Sequence, residues 1–504
     1  MSVRARPHVV IGVADRAVLL LIGLLVAAAV HAADAPATDC HVAGIRNGVL
    51  CGSVQRPLDP ARPDGAKITV RYVVVPAMAR RKLADPVFLL AGGPGQSAVA
   101  LAATTMPTFA RLNNRRDIVF VDQRGTGGSA PLQCKDPEHE TLAEQSDPDR
   151  QFRLAMACKA ELLKLPYVGD ERALGLFTTW IAVQDLDAVR RALGAERIDL
   201  VGASYGTRVA LEYLRQFPSA TRRTVIDGVA PPDMALPASF STDNQAAFDA
   251  LAAACTAEPA CTRRHPDLRG RLDALLKSLP RQVTAAQPLS GRDETFTLTR
   301  DMVLGAIRGA LYAPAIAAAL PQAIDDASRG KIAGLVGLAS TLTSRKSSRL
   351  ATGMHLSVVC AEDVPRIDAA GDAPGADFGD QFARFYRRLC AGWPRGAVPD
   401  AFYKIGPSAS PVLLLSGGLD PATPPRHGER TAKLLGSTAR HVVVAHAGHG
   451  VMSIGCMRDV VFRFIDAESD AGALAVEAGC AAKLPRPLAF QPAGADAPAS
   501  EPAR

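Results

Sequence analysis

The stretch Gly202-Ala203-Ser204-Tyr205-Gly206 decides the fold, because it places a serine between an apolar run at 198–201 and a helical pattern at 207–216. The G-x-S-x-G pattern is typical of a strand that ends in a sharp turn and continues as a helix. Side chains at the two glycine positions would collide in so tight a turn, and the turn strains the serine backbone. The sequence therefore predicts a serine hydroxyl that projects above the end of a strand. The alternative is an ordinary glycine-rich turn without a chemical role.

Apolar runs elsewhere in the chain predict further strands of one large, mainly parallel sheet. Several runs are continuously apolar without alternation, as expected for strands that are buried on both faces. The runs cover 68–75, 87–91, 118–122, 198–201, 224–227, 412–416 and 441–445. Between 228 and 411 no such run is convincing, and helical patterns take its place at 244–257, 268–278, 300–311, 314–328 and 378–389. Pro321 is expected to kink or divide the fourth of these helices.

These patterns predict a sheet domain that is interrupted by a helical cap. We expect a core in two parts, 33–230 and 406–483, with the cap domain at 231–405 between them. The remaining residues, 484–504, are rich in proline and alanine and are predicted to form a disordered tail.

The first 32 residues carry the features of a cleavable export signal. Arg4, Arg6 and Arg16 precede an apolar run of 14 residues at 17–30, and small residues at Val30 and Ala32 suit a signal peptidase. The alternative is a short membrane anchor, but a bilayer span needs about 20 residues. The sequence predicts a protein of the periplasm or the cell exterior, without a stable membrane anchor after cleavage.

All ten cysteines follow the export signal, and an even count in an exported chain indicates disulfides. Sequential pairing is the simplest arrangement and gives Cys40–Cys51, Cys134–Cys158, Cys255–Cys261, Cys360–Cys390 and Cys456–Cys480. A metal site is the alternative, but no paired C-x-x-C occurs and no histidines stand near the cysteines at ligand spacing. No metal and no cofactor are predicted. The net charge of +7 comes without a basic cluster among aromatic residues, so nucleic acid is not an expected partner.

A serine nucleophile needs a base to take its proton and a carboxylate to orient that base. After a strand–turn–helix of this kind, the carboxylate comes next along the chain and the histidine last. His446 and His449 both follow the last predicted strand, and His449 is chosen because the glycines on either side leave room for its ring. Asp420 follows the run at 412–416 and is the predicted acid. Asp227 is the alternative, because it also ends a strand-like run.

The oxyanion that forms during acyl transfer needs backbone N–H donors. One is expected from Tyr205, directly after the serine, and the other from Gly93 in the loop Gly92-Gly93-Pro94-Gly95 that follows the run at 87–91. Asp122 and Arg124 follow the next strand-like run and are predicted to form a structural salt bridge.

Together these motifs resemble the proline iminopeptidase and tripeptidyl aminopeptidase family of serine exopeptidases, in its secreted, disulfide-bearing branch. The resemblance covers roughly 40–482 and rests on Gly92-Gly93-Pro94-Gly95, Asp122-Gln123-Arg124-Gly125, the serine motif, Asp420 and His449. It implies an α/β-hydrolase fold, with helices on both faces of the sheet and a helical cap inserted before the strand that carries Asp420. Ala91 stands where proline iminopeptidases usually have a histidine, which argues against strict proline specificity.

The resemblance implies an exported serine aminopeptidase that hydrolyses peptide bonds near a free N-terminus through Ser204, His449, Asp420 and an acyl-enzyme. Such an enzyme needs a carboxylate for the substrate α-ammonium. Glu362 and Asp363 are predicted to supply it, and the alternative is a solvated acidic pair on a loop. Two other functions stay open at this point: a carboxylesterase or amidase of small uncharged substrates, and an inactive fold used for binding.

Overall fold

The computed structural model describes residues 37–135, 140–343 and 350–490, and its centre is a nine-stranded sheet in the order β1-β2-β3-β5-β4-β6-β7-β10-β11. Adjacent strands from β5 to β11 are parallel, while β1, β2 and β3 pair antiparallel at one edge. The strands are β1 (Thr38–Cys40), β2 (Val49–Pro57), β3 (Lys67–Val75), β4 (Val87–Leu90), β5 (Ile118–Val121), β6 (Ile198–Ala203), β7 (Thr221–Asp227), β8 (Arg281–Ala286), β9 (Asp293–Leu298), β10 (Val412–Gly417) and β11 (Ala439–Val444). The predicted mainly parallel sheet is confirmed.

Helices cover both faces of this sheet and fill the segment between β7 and β10. They are α1 (Ala98–Asn113), α2 (Leu142–Gln145), α3 (Pro148–Leu162), α4 (Glu171–Leu174), α5 (Thr179–Ala192), α6 (Tyr205–Gln216), α7 (Leu236–Ala257), α8 (Pro259–Arg264), α9 (Leu268–Lys277), α10 (Arg300–Leu311), α11 (Pro314–Ala317), α12 (Leu320–Ser328), α13 (Ala333–Thr343), α14 (Thr352–Val358), α15 (Gln381–Ala391), α16 (Pro425–Leu435), α17 (Met457–Asp466) and α18 (Asp470–Leu474). The helix expected at 314–328 is divided into α11 and α12, with Pro321 in the first turn of α12.

The central strands are buried on both faces, as their continuous apolar sequences predict. In β4, Phe88 and Leu90 pack into a core with α5 and α6, whereas Val87 and Leu89 pack into a second core with α1 and α17. Because β4 and β6 lie in the middle of the sheet, loops at their carboxyl ends meet at one place.

The segment between β7 and β10 differs from the prediction in one respect. It contains an antiparallel hairpin of β8 and β9, where the sequence analysis expected no strand. These strands alternate between exposed and buried positions, with Phe296 and Leu298 facing a helical core. These strands contain no continuous apolar run, because a strand with one solvated face has a half-polar sequence.

Two predictions concern the ends of the chain: an export signal at 1–32 and a disordered tail at 484–504. The export signal, and residues 491–504 of the tail, lie outside the described residues. Residues 484–490 form no helix or strand, and there Phe490 N–H donates to the Ala318 carbonyl and Ala489 N–H donates to the Glu258 carboxylate. Within the described ranges, no helix combines the length and apolar character that a membrane span requires.

The predicted salt bridge between Asp122 and Arg124 is wrong. Arg124 is fully buried and forms a bidentate pair with Asp185 on α5, with N···O distances of 2.6 and 2.9 Å. Asp122 instead accepts hydrogen bonds from the Ser97 hydroxyl and from the backbone N–H groups of Val99 and Gly128. Both residues therefore fix loops at the carboxyl edge of the sheet, each through a different partner.

All ten cysteines form disulfides, and the five pairs are the sequential ones that were predicted. Cys360–Cys390 joins the end of α14 to α15, and Cys456–Cys480 closes the segment that contains α17.

Candidate active site

The serine motif forms the predicted turn between β6 and α6. Ser204 has φ 55° and ψ −124°, a left-handed conformation that non-glycine residues rarely adopt. Its N–H donates to the Asp227 carbonyl at 2.9 Å, and the Thr207 hydroxyl donates to its carbonyl at 2.6 Å. A side chain at Gly206 would place its Cβ 2.3 Å from the Leu90 carbonyl oxygen, so helix α6 approaches β4 this closely only because residue 206 is glycine.

Asp420 and His449 lie on the loops after β10 and β11 and contact each other directly. Asp420 Oδ2 is 2.8 Å from His449 Nδ1, and the same buried carboxylate accepts hydrogen bonds from the Thr423 hydroxyl and from the N–H groups of Ala422 and Thr423. Burial alone would raise the pKa of Asp420, but His449 and these donors hold that pKa below its usual value. An ionised Asp420 fixes the proton on Nδ1 and leaves the Nε2 lone pair free to accept a proton.

The electrostatics of the imidazole follow from the same pair. Burial alone would lower the pKa of His449, but the charge of Asp420 and its hydrogen bond outweigh burial and raise that pKa above the ordinary value. The Tyr312 ring and the imidazole pack edge to face with their centroids 5.1 Å apart, and the Tyr312 carbonyl accepts the His449 N–H at 2.9 Å. The position of His449 therefore depends on both Asp420 and Tyr312.

Asp227, the alternative acid, has a different set of partners. Its carboxylate accepts the backbone N–H groups of Val451, at 2.8 and 3.0 Å, and of Met452, at 2.8 Å. Burial raises the pKa of Asp227 to about 6, despite these donors. Asp227 therefore holds the backbone of the residues that follow His449, whereas Asp420 contacts the imidazole itself.

The loop that carries Gly93 packs directly against the serine turn. Gly93 has φ +113°, and a Cβ at this position would lie 2.7 Å from Gly95 N, so the turn requires glycine. On the other side, His355 Nδ1 is 3.1 Å from the Pro94 carbonyl and His355 Nε2 is 2.9 Å from the Tyr386 hydroxyl. Burial lowers the pKa of His355, so its neutral ring donates to Pro94 and accepts from Tyr386. His355 was not predicted as a site residue, because it lies in a helix without a distinguishing motif.

A cavity of about 800 Å³ lies over this loop and the serine turn. The sheet side of its lining includes Gly93, Ser204, Tyr205 and His449, and Asp420 stands behind His449. The opposite side consists of residues from the segment between β7 and β10 and includes Phe240, Arg308, Tyr312, His355 and Tyr386. His446 is exposed and does not line the cavity. The structure thus brings together the predicted nucleophile, base, acid and oxyanion donors.

Glu362 and Asp363 do not face this cavity, and the prediction that they hold a substrate ammonium is wrong. Both are fully buried in the π-helical turn Val359–Asp363 and pair with the buried guanidinium of Arg208 on α6. Glu362 also accepts the N–H and the hydroxyl of Thr179, and the hydroxyl of Thr179 contacts that of Tyr205. A buried charge needs an opposite charge beside it, and Arg208 supplies this where the prediction assumed solvent.

Comparisons with known proteins support the fold. A family model described as "alpha/beta hydrolase fold" matches residues 85–262, and one described as "TAP-like protein" matches residues 375–470. The chain is 30% identical over 419 residues to Carboxylesterase B of Mycobacterium tuberculosis, covering 77% of this chain and 78% of that protein. It is 25% identical over 422 residues to Serine protease Hip1 of the same species, covering 78% and 80%. It is 30% identical over 192 residues to a Tripeptidyl aminopeptidase of Streptomyces coelicolor, covering 36% of each chain.

The buried pair of Arg208 with Asp363 makes a prediction about stability. Asp363→Asn removes one charge from a fully buried ion pair, and the free energy of unfolding should fall by about 3–5 kcal/mol, as measured by urea denaturation. Asp368→Asn, which removes an exposed partner of Arg387 nearby, should lower it by less than about 1 kcal/mol. A stable Asp363→Asn variant that loses activity only on substrates with a free amino group would contradict the structural role.

Proposed function

We propose that this chain, which belongs to the proline iminopeptidase and tripeptidyl aminopeptidase family of α/β-hydrolase serine hydrolases, is an exported aminopeptidase that cleaves near a free peptide N-terminus. The observation that carries the proposal is the 2.8 Å contact between the buried carboxylate of Asp420 and His449, beside a cavity that Ser204 also lines. A base oriented in this way activates a serine hydroxyl for attack on a carbonyl.

In the proposed reaction, His449 Nε2 takes the proton from the Ser204 hydroxyl as Oγ attacks the scissile carbonyl carbon. The N–H groups of Gly93 and Tyr205 donate to the oxyanion, and ionised Asp420 stabilises the imidazolium. The imidazolium then gives its proton to the departing amine, and the C–N bond breaks to leave an acyl-enzyme. Water, deprotonated by the same imidazole, hydrolyses the ester and regenerates Ser204.

The cavity indicates the size of the substrate, and the disulfides indicate the cellular compartment of the protein. The cavity volume of about 800 Å³ lies within the range of about 300–1,000 Å³ that small-ligand pockets occupy, which suits a short peptide segment. The names of two relatives, Serine protease Hip1 and Tripeptidyl aminopeptidase, favour peptides as the substrates. Five disulfides favour an oxidising compartment, the periplasm or the cell exterior.

A carboxylesterase is the second candidate, and a specific observation favours it. Among the described residues that line the cavity, Asp227 is the only one with a side-chain carboxylate. Two backbone N–H groups already donate to it, so it is not free to bind a substrate ammonium. The relative named Carboxylesterase B also matches over 78% of its length.

Substrates with free and blocked amino ends distinguish these two functions. The aminopeptidase should cleave a tripeptide anilide with a free amino group at least about tenfold better than its acetylated form, because a lost charge-assisted contact costs about 1.5–3 kcal/mol. Equal kcat/KM for both anilides, together with fast hydrolysis of nitrophenyl acetate, would establish the esterase instead.

Variants of the proposed triad should separate chemical roles from structural ones. Ser204→Ala and His449→Ala should each lower kcat by about 10⁴-fold or more, and Asp420→Asn by a large but smaller factor. His446→Ala, the matched control on the same loop, should retain wild-type activity because that ring is exposed. If Asp227→Asn is severely impaired while Asp420→Asn stays active, the assignment of the acid is wrong.

The pH dependence of kcat/KM should report the ionisation of His449. The reaction needs the neutral ring, and Asp420 raises the pKa of His449 above its ordinary value of about 6.5. Activity should therefore be full at alkaline pH and fall as the pH drops through a midpoint above about 6.5. In Asp420→Asn the midpoint of the residual activity should move to lower pH, since the stabilising charge is gone. An unchanged midpoint in this variant would argue against the assignment of the pair.

A further inference from the structure

One cation faces the cavity without a carboxylate partner in the described ranges. Arg308 lies on α10 and lines the cavity together with Ser204 and His449. Its Nη2 is 3.3 Å from the Tyr312 hydroxyl, a long hydrogen bond, and its buried Nε has no partner within the described part of the chain. An arginine has five N–H donors, so most donors of Arg308 have no partner among the described residues.

The aromatic residues around Arg308 hold its guanidinium in place. The guanidinium carbon lies 4.7 Å from the ring centroid of Phe240, 5.0 Å from that of Phe382 and 5.8 Å from that of Tyr312. Contacts of this kind between a cation and aromatic rings use no N–H donor, so they leave the Nη groups available for a planar acceptor. Arg124 and Arg208, by contrast, each donate to a carboxylate and to backbone carbonyls. Arg308 is held by aromatic rings, and no carboxylate of the described residues pairs with it.

The distance of Arg308 from the reactive groups suits a substrate contact. Tyr312 lies between them, with its ring centroid 5.8 Å from the guanidinium carbon and 5.1 Å from the imidazole centroid of His449. The guanidinium is therefore within about 11 Å of the base, a span of roughly three residues of extended chain at about 3.3–3.6 Å each.

We propose that Arg308 is a subsite for a substrate carboxylate and that the enzyme prefers short peptides with a carboxylate within three residues of the scissile bond. The inference rests on the proposed function and deepens it. The planar N–H edge matches a carboxylate in a bidentate pair. A substrate ammonium does not fit here, because the aromatic rings already surround a cation. Two sources supply the same chemistry: an acidic side chain, or the free C-terminus of a short peptide.

The test compares matched neutral and charged peptides. The first series consists of tetra-alanine amides in which one alanine is replaced by Glu or, in the matched peptide, by Gln, at each of the four positions in turn. The second series compares tetra-alanine, which has a free C-terminus, with its C-terminal amide. In the wild type, at least one pair should show a preference in kcat/KM of about 10- to 150-fold for the carboxylate. A preference in the Glu/Gln pairs identifies an acidic side chain as the source of the carboxylate, and a preference in the tetra-alanine pair identifies the free C-terminus.

Variants at two arginines of α10 assign the preference to its residue. Arg308→Met should bring the kcat/KM ratio of the preferred pair to near one, and this ratio is the readout because the absolute rates can change for both peptides together. Arg300→Met is the matched control, since Arg300 donates to the Asp377 carbonyl and does not line the cavity, and it should keep the full preference. If Arg308→Met does not fold, Arg308→Lys decides, because a point charge without the planar edge should reduce the preference several-fold.

Two results would overturn the subsite: no preference in any wild-type pair, or a preference that survives both changes at Arg308. Its failure is distinguishable from failure of the proposed function. If no peptide is cleaved, the same peptides serve as competitive inhibitors of nitrophenyl acetate hydrolysis. Tighter inhibition by the carboxylate form, lost in Arg308→Met, supports the subsite even if the enzyme is an esterase, and equal inhibition refutes it.

Discussion

The backbone conformation of Ser204 is the constraint on which the rest of the site depends. A non-glycine residue at φ 55° costs on the order of 1–3 kcal/mol and persists only where its surroundings determine it. Here β6 lies between β4 and β7, the Ser204 N–H is held by the Asp227 carbonyl, and Gly206 lets α6 contact the end of β4. The hydroxyl therefore lies above the carboxyl edge of the sheet, where loops from β4, β7, β10 and β11 converge.

Three buried aspartates show how the surroundings of a carboxylate decide its role. Asp420 accepts neutral donors and one imidazole, so its charge acts on His449. Asp227 accepts backbone N–H groups, so it fixes a loop. Asp363 faces the permanent charge of Arg208, so it joins two elements of the core. All three residues are aspartates, so residue type alone does not distinguish them. They differ in the hydrogen-bond donors that the fold places beside each carboxylate.

Local signals in the sequence predicted what local geometry determines. The serine turn, the glycine loop at Gly93 and the central strands were identified because glycine spacing and continuous apolar runs reflect short-range sterics and burial. The hairpin of β8 and β9 was missed because its solvated face breaks the apolar pattern. The partners of Arg124 and Glu362 were missed for another reason: Asp185 and Arg208 lie 61 and 154 residues away in sequence, and only the tertiary fold selects them. His355 and Arg308 stand in ordinary helices, and no spacing rule marks them.

The segment between β7 and β10 also supports the loops of the proposed catalytic residues, beyond covering the cavity. The Tyr312 carbonyl holds the backbone of His449, and a Cβ at Gly448 would lie 2.4 Å from that same oxygen, so the histidine loop is packed tightly against α10 and the residues that follow it. His355 similarly holds the Pro94 carbonyl of the loop that carries Gly93. A change in this segment should therefore move the proposed base or a proposed oxyanion donor as well as the substrate. Because a displacement of about 1 Å is enough to cost about 10²-fold in rate, substitutions there should alter kcat together with KM, and specificity in this fold is coupled to catalysis.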